Sequence, residues 1–230
     1  MRHPVRLEPV THTYFIADEV EVPGFSAICA AMGVSKPNMH YTAAGRDRGT
    51  AVHAWSAHIA TVGVPSRAAD PRIAPRVDQF KDFLSKSGFR AEGAEISLYD
   101  PWLRFACTPD LFGYIRGVPV VIDIKTGAKL KIAELQTAAQ SIALAANGFR
   151  VRKRFGLYLK DKNFRLVEHK SQDAKYWEAI VSGYHAMTPE QREVFASDQF
   201  DKSDPSCIGM VAGPGWRRVV SAFAARSFYI

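Results

Sequence analysis

Cysteine is scarce in this sequence. Cys29, Cys107 and Cys207 are the only three in 230 residues; they lie far apart, and no two form a C-x-x-C pair. A disulfide framework is therefore excluded, as is any four-cysteine zinc or iron–sulfur site within one chain. The expectation is buried thiols in a reducing compartment. Long apolar runs are missing too: no window approaches the roughly 18 consecutive apolar residues of a membrane span. The opening MRHPVRLEPVTHTYF lacks the apolar core of a secretory signal. Internal repeats and low-complexity tracts are absent. Together these features lead us to expect a soluble cytoplasmic protein with no membrane partner.

Hydrophobic residues make up 47% of the chain and charged residues 23%, enough apolar side chain for a sizeable core. The length fits one domain with additions. The net charge of +7 favours a polyanionic partner, although scattered surface Lys and Arg would give the same total.

Pattern and turn signals give a coarse element order. Residues 12–22 read as a hairpin about a polar turn at 17–19. A short helix follows, with Ser26 as expected N-cap and Gly33 as stop. Residues 37–48 read as a basic loop. A helix over 49–63 puts Val52, Trp55, Ser56 and Ile59 on one face. Another over 75–87 does the same for Val77, Phe80, Phe83 and Leu84, and Gly88 ends it. Four strands are expected next, at 93–100, 102–109, 110–117 and 119–127, with turns short enough for antiparallel neighbours. A helix over 130–147, a hairpin over 154–170 and a helix over 172–186 complete the pattern. TPEQ at 188–191 has capping-box spacing and opens a further short helix. This order is that of an α/β (α+β) chain without the strict alternation of a doubly wound sheet.

The chemistry is concentrated in GVPVVIDIKTG, residues 117–127. Asp123 and Lys125 stand two apart on an apolar strand, so both project from the same face, about 7 Å apart. Burying such groups is costly unless they are paired or coordinated. A plain ion pair at a strand end is the simpler explanation. Asp110, thirteen residues upstream in CTPDLFGYI, argues for more. Hairpin pairing across the turn near Gly117 brings Asp110 beside Asp123. Two close carboxylates repel unless a cation lies between them. Mg²⁺ or Mn²⁺ suits such oxygen ligands, and the Ile124 main-chain carbonyl can add another. Lys125 is then placed to orient or deprotonate a water, or to neutralise charge building on a phosphorus centre.

The segments TPD…VVIDIKTG resemble the PD-(D/E)XK nuclease superfamily, with Asp110, Asp123 and Lys125 as its trio. Three further stretches resemble its RecB-like, phage-type exonuclease branch. RGTAVHAW places His53 where that branch has a metal-ligating histidine. LQTAAQ resembles its Q-x-x-x-Y motif: Gln136 matches, while Gln140 stands where tyrosine is usual. HTYFIADEVEVPGFSAI is similar to the N-terminal segment of phage-type members. The likeness covers about residues 12–170. It implies a restriction-endonuclease-like core, a central mixed sheet flanked by helices, in a domain over 1–187. Residues 188–230 are then a C-terminal extension without an assigned role.

The resemblance implies one or two Mg²⁺ or Mn²⁺ ions. His53, Asp110, Asp123 and the Ile124 carbonyl are the expected metal ligands, with Glu95 helping a second ion and Lys125 acting on water. Gln136 and Gln140, on one helix face, are expected to hydrogen-bond DNA phosphates or to position Lys125, and Arg46 and Arg48 to contact phosphates, with Tyr158, Lys160 and Lys162 on weaker grounds. His58 is off the His53 face and is expected to be structural or exposed. The implied activity is exonucleolytic hydrolysis at duplex DNA ends in recombination or repair, with duplex ends or single strands of DNA as the implied partner. A single-strand annealing protein and a homo-oligomer are the implied partners. An endonuclease of the same fold, and a DNA-binding protein with a vestigial site, remain the alternatives.

Overall fold

The computed structural model describes residues 4–17, 19–34, 42–127, 132–169 and 173–196. The chain opens with three strands, β1 (Val5–Glu8), β2 (Thr13–Ile16) and β3 (Val20–Val22), in an antiparallel sheet of order β1-β2-β3. The β2–β3 pair is the expected hairpin; β1 was not signalled by the pattern. Helix α1 (Phe25–Ala31) follows. Its N-cap is Gly24, so Ser26 lies inside the first turn rather than at the cap. Gly33 adopts φ 61°, the left-handed conformation of a helix stop.

Helix α2 (Ala43–Thr61) begins earlier than expected. Thr42 caps it by accepting the Gly45 N–H at 3.1 Å, so Arg46 and Arg48 are helical, not loop residues. Its Val52, Ser56 and Ile59 are buried, as the periodicity required. Helix α3 (Ala74–Ser87) buries Val77, Phe80 and Phe83 and ends at Gly88, φ 67°.

Seven strands and a helix come next: β4 (Phe89–Ala94), β5 (Leu98–Asp100), β6 (Phe105–Cys107), β7 (Leu111–Ile115), β8 (Val118–Lys125), α4 (Ile132–Ala146), β9 (Lys153–Leu159) and β10 (Phe164–His169). The expected run of four sequential antiparallel strands is not what forms. β4 starts before residue 93 and pairs with β7, while β5 and β6 leave as a separate two-stranded hairpin. The reason is local. Asp100 Oδ1 accepts the N–H groups of both Trp102 and Leu103 at 2.8 Å, and this tight turn folds β6 back on β5.

The central sheet has order β10-β9-β8-β7-β4. β7 and β8 form an antiparallel hairpin whose two turn residues, Arg116 and Gly117, have φ 48° and 81°, as a type I′ turn needs. β8 and β9 are parallel, and α4 makes the crossover between them. The sheet is mixed and flanked by helices, the architecture the sequence led us to expect. β8 is packed on both faces. Ile122 and Ile124 face the apolar layer of α2 and α3, with Phe80 and Phe83. Val121 faces the layer of α1, α4 and α5 (Asp173–Ala186), with Leu135, Leu144 and Trp177. Alternation along the strand therefore puts Asp123 and Lys125 on the α4 side.

Helix α6 (Pro189–Ala196) closes the described chain. Its capping box forms as expected: Thr188 Oγ1 accepts the Gln191 N–H at 3.3 Å, and Gln191 Oε1 accepts the Thr188 N–H at 2.8 Å. Most of the expected C-terminal extension, residues 197–230, lies outside the described residues.

Candidate active site

The site gathers where β8 ends. The β7–β8 register pairs Leu111 with Ile122, so one step further Asp110 stands opposite Asp123. Asp110 Oδ2 accepts the Ile124 N–H at 2.6 Å, which fixes the carboxylate against the strand exit. Its other oxygen, Oδ1, is 3.4 Å from His53 Nδ1 on α2. Glu95 Oε1 approaches the same nitrogen at 3.7 Å. One donor atom from each of His53, Glu95 and Asp110 lies within 4.8 Å of the others.

Glu95 reaches this cluster by an uncommon backbone. It is not a strand residue, as the pattern suggested, but lies just past β4 with φ 50°. Its N–H points to the carbonyls of Pro109 and Asp110 at 3.1 and 3.2 Å. A left-handed non-glycine residue stores of order 1–3 kcal/mol, and such strain clusters at functional sites. A register shift between Ala91 and Gly93 lies a few residues before it, re-aiming the strand end.

Asp123 is fully buried, opposite Asp110 and within reach of its charge, though its oxygens are outside the group of three whose donor atoms lie within 4.8 Å of one another. Lys125 Nζ is 2.8 Å from Asp123 Oδ2, a buried ion pair. The other oxygen, Asp123 Oδ1, accepts no hydrogen bond from the described residues. A buried acceptor left so costs about 1–3 kcal/mol. Lys125 also donates to Gln136 Oε1 on α4 at 3.0 Å.

These groups set one another's charge. Burial would lower the His53 pKa, but the Asp110 and Glu95 carboxylates outweigh it and push it up to about 10. Asp110 is held below its usual value: burial opposes this, and the His53 charge, Lys125 and the Ile124 N–H prevail. Burial, opposed by Lys125 and reinforced by Asp110, raises Asp123 to about 6. Lys125 is raised despite burial, because Asp123 and Asp110 stabilise its ammonium form.

The donor set suits a hard divalent cation. Two carboxylates and an imidazole nitrogen converge, and the buried Asp123 Oδ1 nearby has no hydrogen-bond partner among the described residues.

The other expected contacts divide. Gln136 holds Lys125. Gln140 is 1% exposed, and its Oε1 has no hydrogen-bond partner among the described residues, so its side chain presents no face to DNA. Arg46 and Arg48 are both exposed. Arg46 is seven residues before His53, two helical turns along the same stripe, whereas Arg48 is off it. On that stripe Gly49 passes close to Thr126, at the exit of β8. Tyr158 is buried beside Lys125, its register partner. Lys160 donates to the Gly127 carbonyl at 2.8 Å, and Lys162 is exposed. His58 is exposed on α2, as expected.

The sequence reading missed a buried polar cluster behind the site. Arg154 donates to the Glu134 carbonyl at 2.8 Å and pairs with Asp173 at 3.2 Å. Thr137 Oγ1 and His169 Nδ1 are 2.8 Å apart. These contacts tie α4, β9, β10 and α5 together and so fix the helix that carries Gln136. Arg154, a charge at the head of the apolar run FGLYL, was the available signal.

No protein-family model and no curated protein matches the sequence. Among solved structures, the chain is similar to a candidate exonuclease from Eubacterium rectale, at 11% identity and TM-score 0.43, over 80% of each chain. It is also similar to an alkaline exonuclease from Laribacter hongkongensis, at 15% identity and TM-score 0.34, over 70% of this chain and 84% of that one.

Proposed function

We propose that this chain is a Mg²⁺- or Mn²⁺-dependent deoxyribonuclease, acting as an exonuclease on DNA ends. The observation that carries the reading is the convergence of His53, Glu95 and Asp110 next to the buried Asp123–Lys125 pair. His53, Asp110, Glu95 and Asp123 would hold the cation, with the Ile124 carbonyl as a further oxygen. When bound, the cation supplies Lewis-acid stabilisation of the phosphate charge and activation of water.

The protein's own groups do the rest. Lys125 keeps its proton at neutral pH, because two carboxylates raise its pKa. It therefore acts as a hydrogen-bond donor and fixed positive charge rather than as a general base. One of its N–H groups is held by Gln136 and the ammonium faces Asp123, which leaves a donor for the attacking water or a phosphate oxygen. Asp110, locked by the Ile124 N–H, keeps the ligand face pre-organised. Arg46 leads a helix stripe toward the site and is suited to a backbone phosphate of the substrate. The net charge of +7 favours the same polyanion, so DNA affinity should fall steeply with salt.

The test is incubation of end-labelled linear DNA and closed circular DNA with Mg²⁺, with EDTA as control. Metal-dependent degradation of the linear DNA alone supports exonuclease action. Cutting of the circle would make the protein an endonuclease. No cleavage of either would leave a binding protein with a vestigial site.

A further inference from the structure

Trp102 is 87% exposed, the second most exposed of the large apolar side chains described. It is not on a frayed segment. The two N–H bonds to buried Asp100 Oδ1 hold its turn, and Arg104, at φ 52°, completes it. It forms one wall of an open surface hollow of ≈ 320 Å³, lined also by Leu103 and Arg104 of the hairpin and by Val181, Ser182 and His185 of α5. His185 Nε2 is 3.0 Å from the Leu103 carbonyl, which locks the two elements together. Among the described residues no carboxylate lines this cavity. Arg192 lies close by, its guanidinium 4.0 Å from the Tyr184 ring centre. Burial first, and then the charges of Arg104 and Arg192, hold His185 below its ordinary pKa.

An exposed indole face over a basic, acid-free hollow is the chemistry that binds one stacked base and its phosphate. Its place in the fold also fits. Asn147 Nδ2 donates to the Tyr99 carbonyl at 3.0 Å, so the β5–β6 hairpin sits at the C-terminal end of α4. Gln136, at the active site, is eleven residues away along that helix, about 16 Å.

We propose that Trp102, Arg104 and the α5 surface form a secondary platform for single-stranded nucleic acid, with a base on the indole and a phosphate at Arg104. The choice of ligand rests on the nuclease reading; the platform lies apart from the metal ligands.

The test titrates the full chain with a twelve-nucleotide oligothymidylate in EDTA, following tryptophan emission. Binding quenches the exposed indole. Trp102→Ala loses the quench and weakens binding about tenfold, while Trp102→Phe keeps a stacking ring and stays within about threefold. Arg104→Gln reduces the salt slope by about 0.7. Unchanged affinity in Trp102→Ala overturns the proposal, as does an equal quench by polyglutamate. The two readings separate in one comparison. A Trp102-dependent quench without metal-dependent cleavage by the wild type sinks the nuclease reading and keeps the platform. Cleavage without the quench does the reverse.

Discussion

Gln136 Oε1 accepts a hydrogen bond from Lys125 Nζ at 3.0 Å, across the gap between helix α4 and strand β8. Gln136 thus orients the cation that the proposed chemistry needs. Gln136→Ala should lower kcat by about 10- to 100-fold with KM little changed, because it frees a charged donor without removing it. Steady-state kinetics on linear duplex DNA check this. A rise in KM at constant kcat would instead place Gln136 on the substrate.

Metal uptake should release protons. His53 holds its proton up to about pH 10 in the metal-free protein, yet ligation needs the neutral ring. At pH 8, Mn²⁺ binding should expel about one proton per site. Calorimetry in buffers of different ionisation enthalpy measures it. His53→Gln should abolish most of the release.

The same shifts set the stability of the metal-free protein. The His53 pKa is raised from 6.5 to about 10, so the native state binds the extra proton in that window. Its stabilisation is complete below pH 6.5 and is lost as pH rises toward 10. Asp123, raised from 3.8 to about 6, acts with the same sign between those values. Thermal unfolding in EDTA should show Tm falling with pH across both windows. His53→Gln should flatten the upper one.

Gly156 is the β9 partner of Asp123. A Cβ there would stand 2.9 Å from Tyr158 Cε2 and 3.0 Å from His169 Nε2. Gly156→Ala should cost about 1–3 kcal/mol by overpacking, read by denaturant unfolding. It should also slow cleavage, since Tyr158 is packed beside Lys125.

Much of this arrangement was legible from pattern alone. The D-x-K strand read true because strand alternation is strict: Asp123 and Lys125 had to share a face. Asp110 was found because hairpin register follows from a two-residue turn. Glu95 was named for the right neighbourhood but given the wrong backbone, since its left-handed φ depends on a bulge and on carbonyls of Pro109 and Asp110 that only tertiary contact supplies. The β5–β6 excursion was missed for a similar reason: an Asp turn separates two runs that each look like sheet strands. The basic stretch 37–48 looks like loop and hides the start of α2, which the Thr42 cap sets ahead of Arg46 and Arg48. Gln140 looked like a surface partner of Gln136 by i, i+4 spacing; the packing of α4 against the sheet and α5 buries it.

The central claim is that a fixed Lys125 ammonium beside a divalent-cation site hydrolyses DNA. The most direct measurement compares wild type with Lys125→Ala for Mg²⁺-dependent cleavage of linear duplex DNA, with Mn²⁺ affinity measured in parallel. The account predicts more than about 100-fold loss of cleavage with Mn²⁺ binding retained. Cleavage by Lys125→Ala at the wild-type rate would contradict it.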